Sequence, residues 1–162
     1  MKKETYSRMT QPFRDDPKRA RVLHRANQIS TAVVFAAYPC LLLWLLLQKD
    51  PRLIRAICVP LDGFIAVTVF RALLDLPRPY ELFQLPPVIP KDTKGHSFPS
   101  RHVFSAAVIS FTFLWIHPVL GGVGLLLTFL IALIRVVSGV HFIRDVAAGF
   151  LAAAGCALFF LL

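Results

Sequence analysis

Residues 103–134 read VFSAAVISFTFLWIHPVLGGVGLLLTFLIALI and contain no Asp, Glu, Lys or Arg. As one helix at ~1.5 Å per residue, this run would extend far beyond a hydrocarbon core ~30 Å thick. His117-Pro118 and Gly121-Gly122 interrupt it, because proline and glycine disfavour the interior of a helix. The run therefore predicts a hairpin of two membrane helices, over residues 99–117 and 119–137.

Three more apolar stretches surround this hairpin. Residues 28–48 carry no formal charge, residues 53–74 carry three charged side chains, and residues 141–162 include several Ala and Gly. Such small residues let membrane helices pack closely. With 56% hydrophobic residues, the composition is too apolar for an ordinary soluble domain. The sequence predicts an all-α integral membrane protein, with about five transmembrane helices in one embedded domain, residues 28–162.

The segment before the first span, residues 1–27, is strongly basic. We predict that residues 1–13 are polar and flexible. A helix is predicted over residues 17–27, because Asp16 suits an N-cap and Pro17 suits a first helical turn. We expect this helix to lie at the membrane surface and to run into the first span. It either recruits anionic lipid or anchors the topology as a solvated helix.

Charge and cysteine usage exclude several classes of protein. The net charge is +9, but Lys and Arg form no base-reading module, so we expect no nucleic-acid partner. A basic membrane protein is the simpler explanation, because Lys and Arg collect at cytoplasmic headgroups. The three cysteines lie in apolar stretches without C-x-x-C spacing, which indicates neither a disulfide framework nor a zinc site.

The polar chemistry of the chain is concentrated in three segments. They are Arg71…Arg78-Pro79, Ser97-Phe98-Pro99-Ser100-Arg101-His102 and Arg135…His141…Asp145. Guanidinium forks match the oxygens of phosphate. One imidazole can attack phosphorus, and another can protonate a leaving oxygen. The segments therefore predict phosphoryl chemistry inside a membrane protein.

The spacings Arg-x6-Arg-Pro, Pro-Ser-x-His and Arg-x5-His-x3-Asp resemble the three-part signature of the type 2 phosphatidic-acid phosphatase superfamily. Members of that superfamily are lipid-phosphate phosphatases, and the signature spans residues 71–145 here. This chain has Arg71 where the superfamily usually has Lys, a change that keeps the charge and adds a planar fork. It also has Arg101 where Gly is common, and Ile134 where Ser is usual.

The resemblance implies a role for each signature residue. His141 is the nucleophile, Asp145 orients it and stabilises its charged form, and His102 protonates the leaving lipid oxygen. Phosphate binding is implied for Arg71, Arg78 and Arg135 and for the amides of Ser100 and Arg101. The Arg101 side chain, a departure from the pattern, is expected either to contact a second phosphate or to turn towards lipid headgroups. Lys94 and Ser138 are auxiliary candidates, the latter as a substitute for the hydroxyl absent at position 134. On a helix, the four-residue spacing would place His141 and Asp145 on one face.

Pro99 suits the first turn of the third membrane helix, with Ser97 or Phe98 as its cap. The backbone N–H groups of residues 100–102 would then be free donors at a helix start. Such donors, reinforced by the helix dipole, form an anion site. We expect the proline-rich loop over residues 75–98 to cover that site.

These features predict metal-independent hydrolysis of a phosphate monoester or pyrophosphate on a membrane lipid, through a phospho-histidine intermediate. No cofactor and no metal are expected, because Asp145 is the only acid in the constellation. Two alternatives remain open: a lipid phosphotransferase, and a non-catalytic lipid-phosphate binder or translocator. A vanadium haloperoxidase shares the signature but is soluble, which the apolar spans argue against.

The partners expected are the bilayer and a lipid phosphate substrate. Polyprenyl pyrophosphate, phosphatidylglycerol phosphate and phosphatidic acid remain alternatives. Asp62, at membrane depth, is expected either to partner an Arg or hydroxyl on a neighbouring helix or to serve a proton or substrate role.

The placement of basic residues predicts which side the site faces. Eight Lys or Arg residues precede the first span, whereas Lys49, Arg52 and Arg55 follow it. The positive-inside rule then places the N-terminus in the cytoplasm. Two spans later the chain returns to that side, so we predict a multi-pass cell-membrane protein with its site at the cytoplasmic face.

Overall fold

The computed structural model describes residues 2–162, which form seven α-helices and a final 3₁₀ turn with no strand in that range. Their bounds are α1 Lys3–Arg14, α2 Pro17–Leu47, α3 Leu53–Leu74, α4 Pro79–Phe83, α5 Arg101–Ile116, α6 Pro118–Val137, α7 Ile143–Ala157 and the 3₁₀ turn Leu158–Phe160. The predicted all-α architecture is confirmed.

Four helical segments are long and apolar enough to cross a membrane: those beginning at Pro17, Leu53, Pro118 and Ile143. The fifth apolar helix, α5, has 16 residues and is shorter. The predicted hairpin exists, because His117 ends α5 and Pro118 begins α6. The expected bundle of about five helices therefore consists of four long helices around the shorter α5.

α5 lies at the centre of the bundle and packs against α2, α3, α6 and α7. Phe104 and Val103 on this helix are fully buried, each in a separate apolar cluster. The approach of α7 is close, because a Cβ on Gly149 would lie 2.6 Å from the carbonyl oxygen of Ser100. The start of α5, which carries signature residues, is therefore held by its neighbours on several sides.

The prediction that residues 1–13 are flexible is wrong, since α1 occupies nearly all of them. The reason is tertiary: Tyr6 and Thr10 are fully buried, and the Tyr6 ring lies 5.3 Å from that of Phe83. The predicted N-cap is confirmed, because Asp16 Oδ1 accepts from the backbone N–H of Lys18 at 2.8 Å. The basic residues 17–27 continue without a break into the first span within α2.

The proline-rich loop contains one helical turn, α4, and is attached to the bundle at several points. α3 ends where Asp75 adopts a left-handed backbone with φ 38°. The N–H of Val88 donates to the carbonyl of Ser138 at 2.9 Å, and that of Ser97 to the carbonyl of Leu76 at 2.9 Å. The first bond holds the loop against the segment between α6 and α7, and the second joins the two ends of the loop.

Candidate active site

A cavity of about 240 Å³ brings the three signature segments together at one end of the bundle. Six predicted site residues line it: Arg71, Arg78, Arg101, His102, Arg135 and His141. Five further residues complete the lining: Thr68, Ala72, Lys91, Thr93 and His96. Five of these side chains are cationic and none is acidic. Such an environment favours an anion with several negative oxygens.

Arg71 and Arg78 lie on either side of the residue at which α3 ends, and both line the cavity. Arg71 is buried in the last turn of α3, and its Nη1 donates to the carbonyls of Pro99 and, at 3.4 Å, of Ser97. Arg78 Nε donates to the carbonyl of Gly95 at 3.0 Å, while its Nη1 is buried without a hydrogen-bond partner. Arg78 therefore keeps a donor for a ligand.

Arg135 is buried near the end of α6 and lines the cavity together with His102 and His141. Its Nη2 lies 3.4 Å from His102 Nδ1, and its Nε is buried without a hydrogen-bond partner. An unpaired buried donor is costly, so a site of this kind gains free energy when an anion accepts from it.

His141 and Asp145 form the predicted pair, but not on one helical face. α7 begins at Ile143, so His141 lies in the preceding loop. Its Nδ1 is 3.5 Å from Asp145 Oδ2, a contact that leaves Nε2 as the nitrogen away from the carboxylate. Burial lowers the pKa of His141 to about 4, although Asp145 opposes the shift. This lowered pKa favours the neutral imidazole, the form that can attack an electrophile.

Asp145 is held by two donors that fix its carboxylate. Its Oδ2 accepts from Ser97 Oγ at 2.5 Å and from the backbone N–H of Phe142 at 3.0 Å. The sequence reasoning treated Ser97 only as a candidate helix cap and missed this role. Its position inside the second signature segment was the available signal.

The start of α5 differs from the prediction. The helix begins at Arg101 with Ser100 as its N-cap, not at Pro99. The N–H of Ser100 donates to the carbonyl of Asp145 at 2.8 Å, so it is already used. Within residues 2–162, no acceptor is found for the amides of Arg101 and His102. Of the three predicted amides, those of Arg101 and His102 therefore remain for an anion, and the amide of Val103 also has no acceptor among the described residues.

The auxiliary residues also differ. Lys94 is exposed and lies outside the cavity lining, where Lys91 appears instead. Burial, followed by repulsion from Arg135, lowers the pKa of Lys91. Ser138 is buried, and its Oγ donates to the carbonyl of Arg135 at 3.3 Å, so it contacts backbone and not the cavity. Whether Lys91 reaches the cavity depends on the path of the loop that carries it, and sequence spacing alone does not reveal that path.

Two other polar residues, Arg101 and Asp62, lie apart from the pair formed by His141 and Asp145. The Arg101 guanidinium lies over the ring of Phe64 at 5.6 Å from its centroid. It lines the cavity while resting on an apolar side chain of α3. Asp62 is exposed on α3 and makes no hydrogen bond or ion pair with any described residue. It does not line the cavity, so neither role expected for it finds a contact in the described chain.

A sequence profile described as the PAP2 superfamily matches residues 53–162. Two crystal structures are similar in fold. Aquifex aeolicus LpxE has 22% identity and a TM-score of 0.74, over 98% of this chain and 93% of that one. The first transmembrane PAP2-type phosphatidylglycerolphosphate phosphatase from Bacillus subtilis has 20% identity and a TM-score of 0.64, over 98% and 82%. No curated protein matches the sequence.

Proposed function

Since this chain belongs to the PAP2 superfamily, we propose that it hydrolyses a phosphate monoester or pyrophosphate on a membrane lipid. The observation that carries the proposal is the cavity, which collects five cations and both signature histidines without an acidic side chain in its lining. This arrangement supports binding of a phosphate group next to a neutral, buried nucleophile.

The proposed reaction has two steps. His141 Nε2 attacks phosphorus, the bond from phosphorus to the lipid oxygen breaks, and the electron pair leaves on that oxygen. His102 enters the step as an imidazolium, a form that the negative charge of the bound phosphate favours, and gives its proton to the leaving oxygen. Asp145 stabilises the positive charge on His141. Water then attacks the phospho-histidine, His102 takes its proton, and inorganic phosphate leaves. The arginines stabilise the charge on the transferring group throughout.

We propose that no metal takes part. The lining offers five positive side chains and no carboxylate, a donor set that repels a divalent cation and attracts an oxyanion. Activity is expected to persist in excess EDTA, and vanadate or tungstate is expected to inhibit by occupying the phosphate position. Loss of activity to EDTA that Mg²⁺ restores would contradict this mechanism.

The function is tested by phosphate release from purified protein in detergent, without any added phosphate acceptor. His141→Ala should abolish release, because no other imidazole in the cavity lining is paired with Asp145. His117→Ala is the matched control, since His117 lies at the α5–α6 junction outside the cavity. Release by the parent supports a hydrolase. Turnover only in the presence of an acceptor alcohol would indicate a phosphotransferase, and binding without turnover would indicate a non-catalytic binder or translocator.

The lipid is identified with a panel of polyprenyl pyrophosphate, phosphatidylglycerol phosphate and phosphatidic acid. The Bacillus subtilis protein of similar fold is a phosphatase for the second of these lipids, phosphatidylglycerol phosphate. Lys91 and Arg101 add two positive charges to the three signature arginines. We expect the headgroup with the most negative charge to have the highest kcat/KM, and Arg101→Gly to reduce that preference. Equal kcat/KM across the panel would contradict this expectation.

We also propose that the site opens at the cytoplasmic face. The basic α1 contacts the loops of the site through Tyr6, so the N-terminal charges and the site share one side. The positive-inside rule then supports a cytoplasmic position. The test is labelling of intact cells with an impermeant thiol reagent in a cysteine-free background, comparing Asp92→Cys with Gln48→Cys in the opposite loop. Labelling at position 92 but not 48 would overturn the proposal.

A further inference from the structure

Tyr6 lies far outside the signature and outside the matched residues 53–162, yet it is fully buried against the site's two loops. Its hydroxyl is 3.4 Å from the carbonyl oxygen of Leu85 and 3.4 Å from that of Gly139. Leu85 follows α4 in the proline-rich loop, and Gly139 lies between α6 and α7. One side chain from the N-terminal helix therefore joins both loops.

The segment that Tyr6 contacts leads directly to the proposed nucleophile. Gly139 is two residues before His141 and has φ +76°, in the left-handed region that favours glycine. A Cβ at this position would lie 2.4 Å from the Tyr6 hydroxyl oxygen, so the close approach also requires glycine. The N–H of His141 donates to the carbonyl of Arg135 at 3.1 Å. The N–H groups of Gly139 and Val140 also donate to the carbonyls of Val136 and Arg135, and the Ser138 carbonyl accepts from Val88. Tyr6 therefore adds a side-chain contact to a loop that backbone hydrogen bonds already shape.

A chain of aromatic rings extends the contact to the other side of His141. The Phe83 ring lies 5.3 Å from that of Tyr6 and 6.1 Å from that of Phe142. Phe142 follows His141 and donates its N–H to Asp145 Oδ2. The Tyr6 side chain thus supports the loop before His141 through its hydroxyl, and the loop after it through its ring.

We propose that Tyr6 is a positioning residue that holds His141 in line for attack on phosphorus. This inference rests on the proposed function. Tyr6 acts on the chemical step, because it contacts the loop of the nucleophile. Two of the phosphate-binding arginines, Arg71 and Arg135, are fixed by α3 and α6. Burial raises the pKa of Tyr6 to about 12, so its hydroxyl remains a donor over the working pH range.

The test compares Tyr6→Phe with Tyr38→Phe in the full-length protein. Tyr38 is a matched control, because its hydroxyl also donates to a backbone carbonyl, that of Ala56 at 2.8 Å, away from the cavity. The substrate is the panel lipid that the parent hydrolyses fastest. Tyr6→Phe should lower kcat about fivefold, the equivalent of one hydrogen bond, while KM and vanadate inhibition stay within about twofold. Tyr38→Phe should leave kcat unchanged.

A second measurement does not depend on turnover. Hydrogen exchange of the Val140 and His141 amides should be faster in Tyr6→Phe than in Tyr38→Phe, because the loop loses its contact with the Tyr6 hydroxyl. Unchanged kcat, an equal loss in both variants, or a rise in KM alone would overturn the positioning role. If the parent itself releases no phosphate, the proposed function fails, and the exchange rates alone decide whether Tyr6 holds the loop.

Discussion

Asp145→Asn separates the charge of this carboxylate from its structural role. An amide oxygen in the position of Oδ2 still accepts from Ser97 Oγ and from the N–H of Phe142, so the loop should keep its geometry. What disappears is the negative charge 3.5 Å from His141 Nδ1. That charge is most valuable when His141 becomes positive, in the transition state and in the phospho-histidine.

The size of the effect follows from the distance. Two unit charges separated by 3.5 Å interact by about 5 kcal/mol at an effective dielectric constant of ~20. The amide dipole replaces part of that interaction, so we expect a loss of about 4 kcal/mol, or about 10³-fold in kcat. KM should change little, because Asp145 does not line the cavity.

The assay is phosphate release at saturating lipid in detergent, with thermal unfolding as a check on the fold. Ser97→Ala is the control, since it removes one donor to Oδ2 but keeps the charge. It should cost about tenfold in kcat, the range for a hydrogen bond to a charged group. If Asp145→Asn keeps kcat within about tenfold of the parent, charge stabilisation by Asp145 is not the main effect and the argument from distance fails.

Three further predictions concern binding, pH and packing. Lys91→Ala should raise KM, by about fivefold for one lost charge contact, whereas Lys94→Ala should not, because only Lys91 lines the cavity. The pKa of His141 is lowered to about 4 in the folded protein, below ~6.5 in the unfolded chain. Above pH ~6.5 the folded and unfolded states both hold a neutral His141, and the free energy of unfolding is not reduced. As the pH falls from ~6.5 towards 4, the unfolded state takes up the proton first and the folded protein loses stability. Thermal unfolding of the parent should show this loss, and His141→Gln should show less of it. Gly121→Ala should destabilise the protein by about 1–3 kcal/mol, because its Cβ would lie 2.2 Å from the backbone of Leu114. Gly122→Ala, with open space around its Cβ, should not, and chemical unfolding distinguishes the two.

Much of the fold was predictable because bilayer constraints act locally along the chain. An uncharged run too long for one span, divided by His117-Pro118, specified the α5–α6 hairpin correctly. Asp16 and Pro17 likewise specified the start of α2. The spacing of the signature also selected five residues that line one cavity, and Arg101 joins them from its variable position. For the hairpin and the start of α2, a short window of sequence contains the physical cause, whereas the signature segments meet only in the folded chain.

Other features required the folded chain. Tyr6 orders α1 only because Gly139 and Phe83, distant in sequence, form the surface on which it packs. The amide of Ser100 is occupied by the carbonyl of Asp145, which depends on how α7 crosses the start of α5.

The sequence by itself determined that the chain crosses the membrane as helices, since span length and proline positions are properties of neighbouring residues. Motif spacing likewise indicated which residue types are candidates for phosphoryl chemistry. Only the tertiary structure decided which donors remain free, that Ser97 holds Asp145, and that Lys91 replaces Lys94 at the cavity. Those outcomes depend on the paths of two loops held by contacts between residues far apart in the chain, and no local pattern contains that information.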